Sequence, residues 1–290
     1  MATNVISAEK DQKFQSLNVD NIIVEVPTTT PLPGQKGVWV NIKYQYANGK
    51  KEMLKIQTPE LFSYGISKYE ESSPAKMTFA MINRKQRESE EPLTEEEQED
   101  IKVEDDTIKI ITDITAVLKE KMKSPEMVKA LGKQKDRKWA MNVDGMEILK
   151  RKETPSGIDN VYLNAKVVNN FIKTTFFKIS KDDLEEMDRD KTVDKLLQKD
   201  VNCKAIAMLV IDSIFVGKEP YIQVKLSEVI LSEIISYKPN RGIVLPTRKM
   251  KMMAVDVISE WWLEKMYDPT SDYVLNRHFE KTMEHANNNN

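Results

Sequence analysis

The sequence predicts a mainly β fold with inserted helices. Three observations predict it: β-branched and alternating runs recur along the chain, an Asn48-Gly49 pair separates two of them, and helical three-and-four apolar spacing interrupts them near residues 107 and 182. At 290 residues the chain can bury a large core, as one large domain or two ordinary ones.

Residues 1–20 read as an N-terminal tail, and the core is expected to span 21–236. Its first strand is Ile22-Ile23-Val24-Glu25-Val26, which ends where Pro27, Pro31 and Pro33 forbid a paired strand interior. Val38, Val40, Ile42, Tyr44 and Tyr46 then alternate with Trp39, Asn41, Lys43 and Gln45. Asn48-Gly49 is a strong hairpin signal, and Met53, Lys55 and Gln57 alternate with Leu54 and Ile56 on the return, so a hairpin is expected over residues 37–58. The stretch 59–73 is punctuated by Gly65, with Pro74 just beyond it, before Met77-Thr78-Phe79-Ala80-Met81-Ile82 resumes a β-compatible run.

Residues 88–106 are strongly acidic with few apolar positions, which predicts a solvated, mobile loop. Ile108, Ile111, Ile114, Thr115 and Leu118 then mark one face of a helix over about 107–123. Ser124-Pro125-Glu126 opens a second, short helix ending near Gly132. Strands are expected around residues 139–142, 148–152 and within 162–179. A helix is expected over 182–198, with Leu184, Met187, Leu196 and Leu197 on one side. Residues 204–216 and 221–231 read as a β-hairpin turning at Gly217-Lys218-Glu219-Pro220. Residues 237–290 read as a C-terminal extension with a short amphipathic helix over 258–266.

Composition removes several functional classes. With 44 basic and 46 acidic residues the net charge is -2, so nucleic-acid binding would have to come from local patches. The start of the chain lacks a basic segment followed by an apolar one, and no stretch nears the roughly eighteen apolar residues of a membrane span. The expected setting is cytosolic, nuclear or inside a particle, without a membrane. The nine glycines form neither GxGxxG nor GxxxxGK[ST]. His278 and His285 lack a second cysteine or a carboxylate pair to complete a metal set, and the single cysteine, Cys203, sits in an apolar run as a small core residue. Glu95-Glu96-Glu97 has no apolar surroundings to raise a carboxyl pKa. The expectation is a non-enzyme with no cofactor and no metal.

What remains is basic and aromatic residues on strands, the pairing that single-stranded nucleic acid needs because each nucleotide offers a π-face and a phosphate. One cluster is Trp39 and Lys43 with Lys50, Lys51 and Lys55 on or near the return strand. A second is Lys135, Arg137, Lys138 and Trp139 with Lys150 and Arg151, and a third is Tyr64, Lys68 and Tyr69. Each has a plain alternative: Trp39 as a core residue among solvated lysines, and the other two as ordinary surface loops. Trp261-Trp262 reads as a helix packing onto the body.

The residues Leu54-Lys55-Ile56-Gln57-Thr58-Pro59-Glu60-Leu61, Tyr64-Gly65-Ile66-Ser67-Lys68-Tyr69 and Lys76-Met77-Thr78-Phe79 resemble a family from nucleocytoplasmic large DNA viruses, itself similar to the phage T7 type of single-stranded DNA-binding protein. The resemblance extends more weakly to Tyr162-Leu163-Asn164 and to the late hairpin, covering about residues 35–235. It implies an OB-like β-barrel with inserted helices. It also implies coating of single-stranded DNA in viral replication, repair or recombination, in the host cytoplasm (a viral factory) or the nucleus. Viral replication proteins and a second copy of the chain are further partners it allows. A virion structural or packaged interaction protein that keeps the fold without DNA binding is the alternative. The phage-type proteins carry an acidic C-terminal tail, whereas here the acidic run is internal at 88–106. That run is either a tethered competitor of DNA or a simple linker.

Overall fold

The structure, a computed structural model, describes residues 4–9, 14–27, 37–71, 73–82, 94–132, 143–153, 159–169, 172–180, 183–217 and 220–236. All of them lie in one compact unit, Met1–Tyr237. The predicted helix at 258–266 and Trp261-Trp262 fall outside the described residues.

Alternation along β3 (Val38–Gln45) sends Val38, Val40, Ile42 and Tyr44 into the core and turns Trp39, Asn41, Lys43 and Gln45 to the other face. β2 (Ile22–Val24) pairs antiparallel with β3. Asn48-Gly49 makes the expected turn, with Gly49 at φ 79° and its N–H donating to the Tyr46 carbonyl at 2.8 Å. The expected 37–58 hairpin is only begun, however. β4 (Lys51–Glu52) pairs with Tyr44 and Gln45, after which β5 (Leu54–Gln57) departs to pair with β12 (Val201–Val216). The buried Tyr46 side chain explains the departure: its hydroxyl donates to the Met53 carbonyl and accepts from the Lys55 N–H, both at 2.9 Å, replacing the ladder bonds. Burial pushes the Tyr46 phenol up to about 12, so it remains a donor throughout the physiological range.

The first twenty residues are not the tail predicted from sequence. β1 (Ile6–Ser7) pairs in parallel with β5 and buries Ile6 completely, and the Asn18 N–H donates to the buried Tyr44 hydroxyl at 2.9 Å.

Five strands close into a barrel: β6 (Leu61–Ser67), β7 (Lys76–Ile82), β9 (Asp159–Val167), β13 (Tyr221–Ser236) and β12, which returns to β6. Every neighbouring pair is antiparallel except β9 with β13. The fold is therefore mainly β, an OB-like barrel with inserted helices, as expected. β12 serves three neighbours in succession, β6 through residues 203–205, β5 through 208–211 and β3 through 213–216. Register shifts in its ladder with β13 at 204/205, 208/209 and 211/213 supply the bends that this requires.

The motif residues behind the family resemblance build the junction between the N-terminal sheet and the barrel. Thr58 is fully buried; its N–H donates to the Ala207 carbonyl at 2.9 Å and its hydroxyl accepts from the Ala207 N–H at 3.0 Å. It thus pins β12 where its partner changes from β6 to β5. Gly65, which reads in sequence as a break, is a bulge inside β6 at φ 76°. A Cβ there would lie 2.6 Å from the Leu196 carbonyl oxygen, so only glycine admits the chain that caps this side of the barrel.

That cap differs from the helix expected over 182–198. Its first part is β11 (Asp183–Met187), antiparallel to β10 (Thr175–Ser180), and α3 (Arg189–Leu196) starts only after Asp188, whose carboxylate accepts from the Lys191 N–H. The apolar spacing fits a helix, but β10 offers an open edge, and Lys178 pairs with Glu185 across it at 2.9 Å. α3 buries Thr192, Val193 and Leu196 near β6, β10 and β12.

The chain between β7 and β9 carries the helical insertion, α1 (Glu95–Met122) and α2 (Pro125–Gly132). Ile111, Ile114, Thr115, Leu118 and Met122 are buried along the predicted face, and α1 packs near β2 and β8 (Leu149–Glu153). Residues 95–106 are helical, not the mobile loop that their acidity suggested; positions 88–93 lie outside the described residues. Glu95, Glu99 and Asp100 sit at the amino end of α1, where the helix dipole favours negative charge.

Candidate nucleic-acid interface

The outer face of the barrel is set by the same alternation that fills its core. Met77 and Phe79 point inward on β7, leaving Lys76 and Thr78 outside; Leu163 and Ala165 point inward on β9, leaving Tyr162, Asn164 and Lys166 outside. Register then decides what meets what. Lys76 lies directly opposite Lys166, Thr78 opposite Asn164 with its hydroxyl donating to Asn164 Oδ1 at 2.7 Å, and Tyr162 opposite Lys150 of β8.

Of these, Lys76, Lys150, Asn164 and Lys166 floor a groove of about 890 Å3. One wall is the β6–β7 loop with Lys68 and Tyr69, and the other is the start of β13 with Tyr221 and Gln223. Four lysines line it, Lys68, Lys76, Lys150 and Lys166, against one acid, Glu147, which Lys119 of α1 already engages in an ion pair. Lys166 shows the resulting field. Its ammonium is held below the usual lysine range by burial first and then by the charges of Lys76 and Lys225, with Asp212 acting in the opposite direction. A like-charge pair directly opposite in a sheet is destabilising, so this one persists at a cost to the fold that an anion would relieve.

The aromatic side chains gather on the same face. Four large aromatics are exposed among the described residues, Trp39 (47%), Tyr64 (52%), Tyr69 (92%) and Tyr221 (38%). Tyr69 and Tyr221 line the groove, and Lys166 Nζ stands 5.1 Å from the Tyr221 ring centre. Tyr64 meets Tyr162 at 6.2 Å and Phe62 at 5.2 Å between ring centres. Trp39 meets Phe215 in a tilted contact at 4.9 Å and Tyr221 edge-on at 6.2 Å.

The chain belongs to the DUF2738 family. The family model, described as a protein of unknown function, matches residues 33–250. The DUF2738 span takes in every barrel strand, Trp39 and all the groove-lining residues; among the described strands, β1 and β2 lie outside it. No curated protein matches the chain.

Against this geometry the residues singled out by sequence separate into groups. Lys68, Tyr69 and Lys150 line the groove, while Trp39 and Tyr64 border it through aromatic contacts. Lys43 is tied to Glu25 at 2.5 Å and, with Lys55, lines a separate cleft beside Asp212. Lys50 and Lys51 are exposed beside the Asn48-Gly49 turn. Arg151 follows Lys150 on β8 and pairs opposite the inward Val161, away from the groove face. Lys135, Arg137, Lys138 and Trp139 lie outside the described residues. Sequence reasoning passed over Lys76, Tyr162, Asn164, Lys166, Tyr221 and Gln223. Their signal was the polar half of each alternating run, visible in Lys76-Met77-Thr78-Phe79 and Tyr162-Leu163-Asn164-Ala165-Lys166.

Proposed function

We propose that this DUF2738 chain binds single-stranded DNA without catalysis and with little sequence preference, along the groove on the outer face of its barrel. The observation that carries the reading is the cross-strand pair Lys76 and Lys166, opposite each other, neither in an ion pair among the described residues, and flanked by exposed aromatics. Lysines at this spacing answer phosphates, and tyrosine rings answer base faces of any sequence. The row Tyr162, Asn164, Lys166 runs along one strand for about 13 Å, at roughly 3.3 Å per residue, so successive nucleotides meet aromatic, amide and ammonium groups in turn. A duplex keeps its base faces covered, so the aromatic half of this surface would go unused on it. An OB-like barrel by itself assigns no function, and the reading rests on the side chains. The resemblance to viral single-stranded DNA-binding proteins supports a place in viral DNA replication, repair or recombination.

The alternative of a virion structural protein would be favoured by an apolar, self-complementary face. Here the exposed aromatics are interleaved with lysines, which supports binding over assembly. The test is fluorescence anisotropy with a labelled oligo-dT of about twenty nucleotides and the matching duplex at several salt concentrations. Tighter binding to the single strand, with affinity falling as salt rises, supports the reading. Equal affinity for duplex, or no binding at low salt, overturns it.

A further inference from the structure

Resting on the single-strand reading of the groove, we propose that Trp39, Phe215 and Tyr221 form a base-stacking subsite outside the barrel, which extends the bound strand onto the N-terminal sheet. Three strands supply one residue each in a single cross-strand row. Trp39 of β3 is the register partner of Phe215 of β12, and Phe215 is the register partner of Tyr221 of β13. β3 is not one of the five barrel strands, so the row exists only because β12 outruns the barrel and pairs with the N-terminal sheet.

The row has the marks of a built platform. Phe215 and Tyr221 lie 5.3 Å apart at an interplanar angle of 35°, and Trp39 leans on Phe215 at 57°. Gly37 makes room for this packing, since a Cβ there would sit 2.4 Å from the Phe215 ring. Trp39 could have been buried by a one-residue shift in the alternation, yet it remains nearly half exposed beside the equally placed Tyr221. Charge complementarity identifies the occupant. The Lys166 ammonium over the Tyr221 ring also faces Lys76 across the sheet, whereas Lys225 on its other side is ion-paired with Asp212, so the platform adjoins the Lys76–Lys166 pair of the groove. A flat, π-faced ligand carrying a phosphate fits this edge, and on a strand already lying in the groove that ligand is the next base.

The test uses the full chain with its three other tryptophans replaced (Trp139→Phe, Trp261→Phe, Trp262→Phe), so that emission reports Trp39 alone. Labelled oligo-dT is titrated while anisotropy and tryptophan emission are recorded together. The expected result is quenching of Trp39 that saturates with the anisotropy change. Trp39→Leu should weaken binding roughly five- to a hundred-fold, the range of one lost stacking contact, while Trp39→Phe keeps a π-face and recovers most of it. Thermal melting of both variants separates a folding defect from a lost contact. Anisotropy that reports tight binding while Trp39 emission stays constant and Trp39→Leu binds as the parent does would overturn the subsite and leave the barrel groove standing. A parent protein that binds no oligonucleotide at low salt overturns both.

Discussion

Replacing Lys76 by glutamine should make the protein more stable and a poorer DNA binder at once. Lys76 and Lys166 are directly opposite across β7 and β9, while Lys225, on the other side of Lys166, is ion-paired with Asp212. For an assumed separation of about 8 Å, two ammonium groups repel by about 0.5 kcal/mol in water, and directly opposed cross-strand pairs shift stability by roughly 0.2–1 kcal/mol. Lys76→Gln removes that repulsion and leaves a neutral polar side chain one atom shorter. The expected gain is about 0.5 kcal/mol, or a rise of about 1–2 °C in Tm for a unit of this size. Binding moves the other way. One lost phosphate contact to a single strand lowers the slope of log affinity on log salt by about 0.7, which changes the parent-to-variant affinity ratio by about 2.6-fold between roughly 50 and 200 mM salt. Urea denaturation and oligo-dT anisotropy at four salt concentrations measure both quantities. Loss of stability and binding together, or an unchanged salt slope, would refute the reasoning.

Further predictions concern the surroundings of the groove. Lys43→Ala should leave the salt slope of oligo-dT binding unchanged, because Lys43 is tied to Glu25 and lines a different cleft; anisotropy across the same salt series checks this. Tyr46→Phe strands the Met53 carbonyl and the Lys55 N–H and should cost roughly 1–3 kcal/mol by denaturant titration, with DNA affinity of the folded variant unchanged. Lys166 also predicts a pH effect. Its folded pKa lies below the ordinary lysine value of 10.5, and a bound phosphate raises it again, so binding takes up a proton between the free and bound values. Affinity is therefore full below that window and falls as pH rises through it. Fold stability, by contrast, rises with pH between the folded pKa and 10.5, since the unfolded chain holds more protons there. Calorimetric titration over an alkaline pH series, each point in two buffers of different ionisation heat, measures the proton uptake, and in Lys166→Gln the Lys166 contribution should vanish.

Much of the architecture was legible because one face of each strand is buried. The alternation in β3, the Asn48-Gly49 turn and the β12–β13 hairpin follow directly from period-two apolar patterning and turn chemistry. β6 was hidden because Gly65 looks like a break until the Leu196 carbonyl that demands it is seen. Residues 95–106 read as a loop because charge density suggests solvation, whereas the helix dipole and the apolar stripe downstream carry the acidic segment into α1. The segment 183–187 read as helix because its apolar spacing suits either state, and only the open edge of β10 decides between them. The candidate site divides in the same way. Lys68 and Tyr69 stand together in sequence, but Lys76, Lys166 and Tyr221 converge only once β9 runs beside both β7 and β13. No local pattern encodes that closure.

The central claim is that a single strand lies across the outer face of the barrel, and photocrosslinking tests it most directly. Oligo-dT carrying photoactivatable thymidine analogues, irradiated in complex with the full chain and mapped by peptide mass spectrometry, reports which residues touch bases. Adducts should fall on Tyr64, Tyr69, Tyr162 and Tyr221 or their immediate neighbours, and unlabelled single strand should remove them while duplex does not. Adducts confined to the segment carrying Lys43, Lys50 and Lys51, or adducts that duplex removes equally well, would contradict the account.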